Sequence, residues 1–418
     1  MLCAATLLNY LDRQALGIVS VDIRREFHLS EQDYGGILSL FLFAYGVMYA
    51  VSGYIVDRLG TRRGFAIFIL GWSGAQMLHG IAQGKISLAA YRFLLGAAEP
   101  GAWPAAARAV NEWFPAQQRA LAMGIFNAGT SLGSMLAPIV VASVTLVWGW
   151  RAAFVATGFA GLAWLVLWLI LYQPPARNRF LRPSEYEQFR KLVPAPAETA
   201  PAGYSRARSW TRLARTRGCW TLMLTRFFTD PVIYFVIFWL PEYLRKERGF
   251  DLEMVRDYAW VPFAFGGVGY VAGGWFSGRL MRAGWPLGGA RKLTMAAGAA
   301  CVPAAIIAPV APTAALAMVC ICFITFGHGL WAVNLQTIPT DLYPDPEVGA
   351  VTGLSGAGGA LGGLLAQLGT GYIVTHFSYM PIFLLAGLVH PLSAALTYRL
   401  LPERYFDGRA HRISDSTI

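Results

Sequence analysis

Four charged residues interrupt two of the most apolar stretches of this chain. Asp12 and Arg13 lie inside one stretch, and Arg92 and Glu99 lie inside another. An ionisable side chain at the centre of a bilayer costs at least ~2.5 to 3.5 kcal/mol on insertion scales, so such residues are candidates for a function. Arg92 and Glu99 are seven residues apart, close to two helical turns, which places both side chains on one helix face. We expect that face to line a polar cavity.

These residue types suit the binding of an anion and the movement of a proton. Arginine stays charged at any working pH, and its planar guanidinium matches a carboxylate. Burial favours the neutral form of a carboxylic acid, whereas a nearby arginine favours the charged form. Glu99 can therefore gain or lose a proton when Arg92 or a bound anion moves. The competing interpretation is a static ion pair between Asp12 and Arg92 that holds two helices together.

The composition is that of a polytopic membrane protein. Of the 418 residues, 56% are hydrophobic and 14% are charged, which leaves too little polar surface for a soluble protein. Apolar runs of about 20 residues, the length that crosses a ~30 Å hydrocarbon core, predict twelve transmembrane helices. They lie near 2–21, 36–56, 65–84, 87–108, 119–143, 152–173, 219–241, 258–281, 292–311, 314–338, 350–375 and 380–401.

A polar segment divides the twelve spans into two groups of six. It is rich in proline and carries ten basic residues against three acids, which is typical of a linker. We therefore predict an all-α membrane protein built from two six-helix bundles. The predicted parts are an N-terminal bundle over 1–174, a cytoplasmic linker over 175–218, a C-terminal bundle over 219–402 and a cytoplasmic tail over 403–418.

The two halves carry traces of an internal duplication. The quartet Glu112-Trp-Phe-Pro115, followed by three glycines, is matched 229 residues later by Asp341-Leu-Tyr-Pro344 and three glycines in the same register. A duplication of this kind predicts pseudo-symmetric bundles. Duplicated six-helix halves are the architecture of transporters that bind their substrate near the bilayer midplane.

The net charge of +11 is explained by membrane topology. With a cytoplasmic N-terminus, the cytoplasmic loops and tail hold 22 of the 34 lysines and arginines, and the opposite side holds eight. This bias follows the positive-inside rule. We expect a multi-pass protein of the bacterial inner membrane with both termini in the cytoplasm, and no nucleic-acid partner. The five cysteines show no metal-ligand spacing, so we expect neither a metal nor a cofactor.

The connection between the second and third spans carries a distinctive motif. Its sequence is Gly53-Tyr-Ile-Val-Asp57-Arg58-Leu-Gly60-Thr-Arg62-Arg63, and it resembles the signature loop of the major facilitator superfamily. The resemblance implies that this loop latches one access state of a transporter. Gly53 is expected to allow close helix packing and Gly60 a tight turn. The alternative is a basic loop that only sets topology.

A second resemblance is carried by Asn9-Tyr10-Leu11-Asp12-Arg13, by Tyr45 and by the Arg92 and Glu99 pair. Together these resemble the anion:cation symporter branch of the superfamily, with bacterial hexuronate transporters as the nearest pattern. The resemblance implies that Arg13 holds a substrate carboxylate, lined by Tyr10 and Tyr45. It also implies that Asp12 and Glu99 take the coupling protons while Arg92 pairs with an acid. The implied coupling ion is H+, with Na+ left open.

Weaker candidates lie elsewhere in the chain. Thr130 occupies a position where relatives place a polar substrate contact, although a helix-packing threonine is equally consistent. Asn334 and Gln336 belong to a stretch that resembles hexuronate transporters, and we place both among the substrate-binding residues. Gly356 stands where galactonate-type relatives have a substrate-binding asparagine, which favours a hexuronate. His328 is better explained as a hydrogen-bonded packing residue than as a proton site.

The pattern as a whole predicts a proton-coupled symporter for a monoanionic sugar acid. Open alternatives are an aldonate or aldarate symporter, an organophosphate exchanger and a membrane sensor that binds without transport. An organophosphate exchanger is expected to have a second arginine midway along span seven. This chain has Val232-Ile233-Tyr234 there, which disfavours that alternative. An enzyme is disfavoured because no nucleophile elbow, P-loop or His-Glu-x-x-His pattern is present. We expect a monomer in the lipid bilayer with a small carboxylate as its partner.

Overall fold

The structure, a computed structural model, describes residues 1–114, 116–179, 181–192, 212–343 and 345–406. Within these ranges all regular structure is helical, and helix is found at each of the twelve predicted spans. The helices are α1 (Leu2–Ile18), α2 (Ser20–Phe27), α3 (Glu31–Leu59), α4 (Thr61–His79), α5 (Lys85–Ala98), α6 (Ala102–Trp113), α7 (Ala116–Leu171), α8 (Pro183–Leu192), α9 (Arg217–Glu247), α10 (Leu252–Tyr258), α11 (Val261–Arg282), α12 (Leu287–Cys301), α13 (Ala314–Leu342), α14 (Asp345–His376) and α15 (Met380–Leu400).

Five helical stretches in the described part of the chain are long and apolar enough to cross a membrane by length and composition alone. One of them, Ala122–Leu171, is twice the length of a single span. Gly149 breaks it with a φ of 82°, a backbone conformation that glycine adopts without a Cβ clash. The two arms of α7 therefore account for the predicted spans at 119–143 and 152–173.

The predicted fourth span is two helices joined by a tighter turn. Helix α5 ends at Ala98, the 3₁₀ turn Glu99–Gly101 follows, and α6 begins at Ala102. Pro100 has no backbone N–H to continue the α-helical ladder. A Cβ at Gly101 would lie 2.1 Å from the Phe68 ring, so only glycine permits this approach of α4. Glu99 thus lies at a break in the helix, a common feature of functional hinges.

Contacts between residues divide the chain into two compact units. Unit 1 comprises Met1–His28, Leu40–Tyr204 and Val255–Asp257, and unit 2 comprises Leu29–Ser39, Ser205–Met254 and Tyr258–Ile418. The start of α3 is thus grouped with unit 2, whereas the predicted N-terminal bundle included it. Residues 193–211 of the predicted linker and 407–418 of the predicted tail lie outside the described residues.

Helices in unit 1 pack closely through small residues. A Cβ at Gly129 of α7 would lie 2.3 Å from the Cys3 carbonyl oxygen, and one at Gly133 would lie 2.3 Å from that of Leu7. Both glycines therefore let α7 lie directly against the backbone of α1. Backbone-to-backbone approach through small residues is the usual way in which transmembrane helices gain packing energy, because lipid offers no hydrophobic driving force between helices.

In unit 2, the start of α3 packs against α9 and α14. The Tyr34 hydroxyl donates to the Phe238 carbonyl at 2.8 Å, and the Ser39 hydroxyl donates to the Leu364 carbonyl at 3.0 Å. A Cβ at Gly35 would lie 2.5 Å from the Gln367 carbonyl oxygen. These contacts explain why this short segment is grouped with unit 2 although the rest of its helix belongs to unit 1.

Candidate functional site

Arg13 and Glu99 form an ion pair in the interior of unit 1. The Nε and Nη2 atoms of Arg13 lie 2.8 and 2.7 Å from Oε2 of Glu99. The side chains are 3% and 0% exposed, respectively. Both contacts use Oε2, and the other carboxylate oxygen of Glu99 is buried without a hydrogen bond to any described residue. The pair joins α1 to the 3₁₀ turn that follows α5.

Aromatic rings surround the Arg13 guanidinium. Its central carbon lies 4.5 Å from the ring centre of Tyr10, 4.8 Å from that of Tyr45 and 5.7 Å from that of Phe41. The Trp103 indole donates to the Tyr45 hydroxyl at 3.1 Å, which fixes that ring. Ring faces attract a cation, most strongly where water is excluded. The surroundings therefore favour a charged Arg13 independently of Glu99.

The contacts of Phe41 with Arg13 and of Trp103 with Tyr45 could not be identified from the sequence. Both lie in apolar runs, where a ring that faces the core and a ring that faces lipid look the same. Asn9 is part of the motif that we singled out, and its Oδ1 accepts a hydrogen bond from Arg13 Nη2 at 3.4 Å. It lies one turn before Arg13, a spacing that could have indicated the contact.

Arg92 and Asp12 are the other two buried charges of this region. The Arg92 Nη2 atom donates to the main-chain carbonyl of Arg13 at 2.7 Å, and its guanidinium carbon lies 4.6 Å from the Phe41 ring. Asp12 is 0% exposed, and neither of its carboxylate oxygens has a hydrogen bond to a described residue. Where the sequence left open a static Asp12–Arg92 pair, the structure shows an ion pair between Arg13 and Glu99.

The expectation that Arg92 and Glu99 line a polar cavity is not met in this structure, because both side chains are fully buried. For Glu99, the attraction of the Arg13 guanidinium offsets part of the cost of burying its charge. A cavity of about 430 Å³ in unit 1 is lined instead by apolar groups that include Ala109, Trp113 and Trp168. None of the four charged residues lines that cavity.

Three further candidates differ in their surroundings. Thr130 is half-buried, and its hydroxyl donates to the Asn127 carbonyl at 2.7 Å within the same helix. Asn334 is fully buried in unit 2, where its amide donates to the Gly273 and Leu330 carbonyls. Gln336, two residues later, is exposed. Thr130 and Asn334 thus already make hydrogen bonds inside the protein, whereas Gln336 presents its amide at the surface of the molecule.

Asn334 belongs to a polar network at one end of unit 2. The Arg291 Nη1 atom lies 3.4 Å from Asn334 Oδ1, and Arg291 Nε lies 3.0 Å from the Asp341 carboxylate. Glu112, which the internal repeat aligns with Asp341, is bonded in unit 1 by the hydroxyls of Thr61 and Tyr172 at 2.6 and 2.7 Å. Both acids of the repeat therefore anchor neighbouring helices.

The structure confirms part of what the motif in the loop after α3 predicts. Gly60 has a φ of 77°, which confirms the tight turn expected there. A Cβ at Gly53 would lie 3.9 Å from Pro104, an ordinary contact distance, so the expected need for close packing at Gly53 is wrong. Arg62 donates to the Leu169 carbonyl, and Arg58 and Arg63 are exposed. The side chain of Asp57 lies outside the described residues.

Unit 2 contains a buried pair of histidines. Nδ1 of His328 lies 3.2 Å from Nε2 of His390, and the two side chains are 3% and 0% exposed. His390 stands alone in the apolar run of α15, so this contact across 62 residues could not be predicted from the sequence. Unit 2 also contains an ion pair within α9, where Nη2 of Arg226 lies 2.8 Å from the Asp230 carboxylate one turn later.

The buried charges thus include ion pairs within each unit, Arg13 with Glu99 and Arg226 with Asp230, whereas Asp12 has no hydrogen bond to a described residue. In the described part of the chain, no group of three histidine, cysteine, aspartate or glutamate side chains is placed to hold a metal ion. The arrangement in unit 1 can hold a carboxylate on Arg13 and can change the protonation of Glu99 or Asp12.

The chain is similar to known transporters over nearly its whole length. The profile of the Major Facilitator Superfamily matches residues 2–367. The hexuronate transporter of Escherichia coli (strain K12) is 30% identical over 403 residues, which cover 96% of this chain and 92% of that protein. The D-galactonate transporter of Escherichia coli O6:H1 is 29% identical over 408 residues, covering 96% of this chain and 94% of that protein.

A solved structure shares the fold. It is described as a bacterial homolog to the human lysosomal transporter Spinster in an inward-facing and unoccupied conformation. It superposes with a TM-score of 0.72 at 19% sequence identity, covering 97% of this chain and 96% of that one. The likeness at this identity concerns the fold alone. Since the family profile and the hexuronate relative both span most of the sequence, the chain belongs to the major facilitator superfamily.

Proposed function

We propose that this protein is a proton-coupled symporter that takes up a monoanionic sugar acid of the hexuronate type across the bacterial inner membrane by alternating access. The observation that carries the proposal is the buried ion pair of Arg13 and Glu99. Membership of a transporter superfamily supports transport in general. The coupling ion, the substrate and a cytoplasmic location of both termini are parts of the proposal.

The coupling follows from competition for one guanidinium. Glu99 occupies Nε and Nη2 of Arg13, the same donors that a substrate carboxylate would use. Protonation of Glu99 removes its charge and weakens its hold on Arg13, so the guanidinium becomes available to the substrate. By linkage, a bound substrate carboxylate must favour the protonated Glu99 to the same degree. Proton and anion are then carried together.

The surroundings of Arg13 favour a monoanion with a sugar ring. A single arginine, Arg13, pairs with Glu99. The stretch of α9 where an organophosphate exchanger is expected to have a second arginine is apolar at Val232 and Ile233. This disfavours a dianionic organophosphate as the substrate. Tyr10 and Tyr45 present ring faces beside the guanidinium, and such faces suit the apolar side of a sugar. The similarity to a hexuronate transporter supports this substrate class over an aldarate.

Transport by purified protein in liposomes tests the proposal. We expect counterflow of labelled glucuronate or galacturonate to exceed that of galactonate and glucarate, and an inward proton gradient to drive accumulation without Na+. Glu99→Gln keeps a hydrogen-bonding side chain but cannot ionise, so it should retain counterflow and lose pH-driven accumulation.

Each contrary result identifies the part of the proposal that fails. If the Glu99→Gln variant still accumulates substrate against the substrate's concentration gradient, Glu99 is not the coupling residue. If accumulation strictly requires Na+, then Na+ and not the proton is the coupling ion. Binding of a sugar acid without counterflow of any of the four would favour the alternative of a sensor.

A further inference from the structure

Unit 1 contains a cavity of about 430 Å³ that the proposed transport mechanism does not use. It lies where the start of α1, the end of α6 and the two ends of α7 meet. Its volume falls within the range of about 300–1,000 Å³ that is usual for small-ligand sites. None of Asp12, Arg13, Arg92 and Glu99 lines it, so a ligand in this cavity is bound apart from the Arg13–Glu99 pair.

The wall of this cavity is largely hydrocarbon. The Trp168 indole donates to the Arg62 carbonyl at 3.1 Å, and the Tyr172 hydroxyl donates to Glu112 at 2.7 Å. The rings of Trp168 and Tyr172 stack with their centres 3.9 Å apart. Because their polar atoms are already bonded, both rings offer carbon surface to a ligand. Most of the remaining wall is aliphatic or aromatic and includes Leu2, Val110 and Phe126.

The cavity reaches the surface of the molecule through apolar side chains. Phe114, Ile125 and Leu171 all line it and are 37%, 55% and 46% exposed, respectively. An apolar opening gives water few hydrogen-bond partners, and apolar cavities stay dry or hold apolar ligands. A hydrocarbon chain from the surrounding bilayer can fill this space without the loss of a hydrogen bond. The chemistry of the wall therefore suits an acyl chain.

Arginines stand beside the opening. Asn178 lines the cavity, and its two neighbours in the chain, Arg177 and Arg179, are exposed. The Nη2 atom of Arg179 lies 3.5 Å from the Ile170 carbonyl oxygen, at the end of α7 that forms part of the wall. Residues 172–182 contain three arginines and no acid. A positive rim beside an apolar wall complements an amphiphile with an anionic headgroup.

The expected orientation of unit 1 places this opening where such amphiphiles are abundant. The opening lies beside the start of the linker that follows α7, and the charge bias of the loops predicts that this linker is cytoplasmic. The cytoplasmic leaflet carries anionic phospholipids, and basic pockets on that side of transmembrane helices bind their headgroups. A phospholipid carries both an acyl chain and a phosphate, whereas a water-soluble anion has no chain for the cavity.

We propose that unit 1 binds one anionic phospholipid of the cytoplasmic leaflet, with an acyl chain in this cavity and the phosphate on Arg177 and Arg179. The binding is noncovalent. Arginine suits the headgroup because its guanidinium pairs with phosphate through parallel N–H···O bonds. The inference takes its orientation from the proposed function, but it depends on neither the substrate nor the coupling ion.

The lipid acts as a structural ligand of unit 1. An acyl chain in the cavity contacts α1, α6 and both ends of α7, which are distant from one another in sequence. A ligand that binds only the folded protein raises its stability by mass action. The protein should therefore melt at a higher temperature when the lipid is supplied.

The test uses the whole chain, purified in detergent and depleted of lipid. Native mass spectrometry measures the binding of dioleoylphosphatidylglycerol and of the zwitterionic dioleoylphosphatidylcholine, and thermal melts report the stabilisation. We expect one phosphatidylglycerol to bind at least about tenfold more tightly than phosphatidylcholine. The double variant Arg177→Gln/Arg179→Gln should lose that preference. Arg282→Gln, which removes an exposed arginine of unit 2, should keep it within about twofold.

A second pair of variants tests the cavity itself. Ile125→Trp places a larger side chain at the opening, where the native residue is 55% exposed, so the variant can still fold. It should weaken the binding of phosphatidylglycerol by at least about tenfold. Ile139→Trp is the matched control, because Ile139 lies on the same helix, is 37% exposed and does not line the cavity. Its affinity should stay within about twofold of wild type.

Each contrary result overturns a stated part of the inference. Equal binding of the two phospholipids, or a preference that survives the loss of both arginines, would refute the anionic headgroup. Unchanged affinity in Ile125→Trp would place the lipid outside this cavity. Palmitate that binds as tightly as phosphatidylglycerol and displaces it would show a fatty-acid site instead. Counterflow and proton-driven accumulation play no part in these measurements, so a failure of the symport proposal would leave them unchanged.

Discussion

The two halves of the molecule share their packing but differ in their chemistry. In unit 1, Gly129 and Gly133 bring α7 against the backbone of Cys3 and Leu7. In unit 2, Gly358 and Gly362 bring α14 against the backbone of Met223 and Phe227 in the same way. These glycines are the ones that the sequence repeat aligns. The duplication thus preserves the positions where two backbones must touch.

The buried charges are not repeated in the same way. Arg13 follows Leu7 by six residues, and the residue that follows Phe227 by six is Ile233. The 229-residue spacing of the repeat aligns Glu99 with His328, which contacts a second histidine instead of an arginine. Glycine is required wherever backbones touch, whereas a side chain in the interior can change with its neighbours. The Arg13–Glu99 pair therefore has no counterpart at the aligned positions of unit 2, which are Ile233 and His328.

The sharpest test of this contrast replaces Arg13 and its counterpart. Arg13→Ala should weaken carboxylate binding by at least about 100-fold, because each charge-assisted hydrogen bond contributes about 1.5–3 kcal/mol. Ile233→Ala should change affinity by less than about threefold. Isothermal titration of glucuronate and galacturonate against both variants measures this. Comparable losses in the two variants would show that both halves bind the anion.

Lengthening the glycine side chains tests the shared packing. Gly133→Leu and Gly362→Leu should each lower stability by about 1–3 kcal/mol or more, because a side chain would push into a backbone carbonyl in either unit. The melting temperature in detergent reports the change. Gly74→Ala and Gly369→Ala serve as controls, since nothing lies within 4 Å of a Cβ at either position. A loss in only one unit would show that the packing is not equivalent.

The aligned positions of Glu99 and His328 should respond differently to removal of their ionisable group. His328→Gln should keep pH-driven accumulation, because the histidine pair is expected to pack unit 2. It should still lower stability by about 1 kcal/mol through the altered bond to His390. Uptake assays and thermal melts of the same preparation separate the two effects. Loss of accumulation with normal counterflow would instead give unit 2 a coupling role.

The smallest effect is expected at the exposed pair of Glu26 and Arg151. The hydrogen bond from Arg151 lowers the pKa of Glu26 below its ordinary value of 4.5. The pair therefore contributes stability above that value and loses it as the pH falls through the lowered pKa. Both side chains are about 40% exposed, so the contribution stays below about 1 kcal/mol. Melts of Glu26→Gln should differ from wild type near neutral pH and coincide in acid.

Much of the architecture was determined by the sequence alone. Runs such as 314–338 and 380–401 are long and apolar, and a chain in lipid must satisfy its backbone within each helix, so their helical state follows directly. Gly60 predicted a tight turn, and the internal repeat predicted a duplicated architecture. Arg13 and Glu99 could be singled out because a charged residue inside an apolar transmembrane run is costly and is therefore a candidate for a function.

Only the tertiary structure decided which charges meet and which groups surround them. Glu99 contacts Arg13 from the 3₁₀ turn Glu99–Gly101, a local change that helical periodicity does not predict. Phe41, Trp103 and His390 contact residues of helices distant in sequence, and an apolar run gives no indication of which of its faces is buried. Contacts between helices depend on how backbones pack, whereas the pattern within one helix depends only on its own residues.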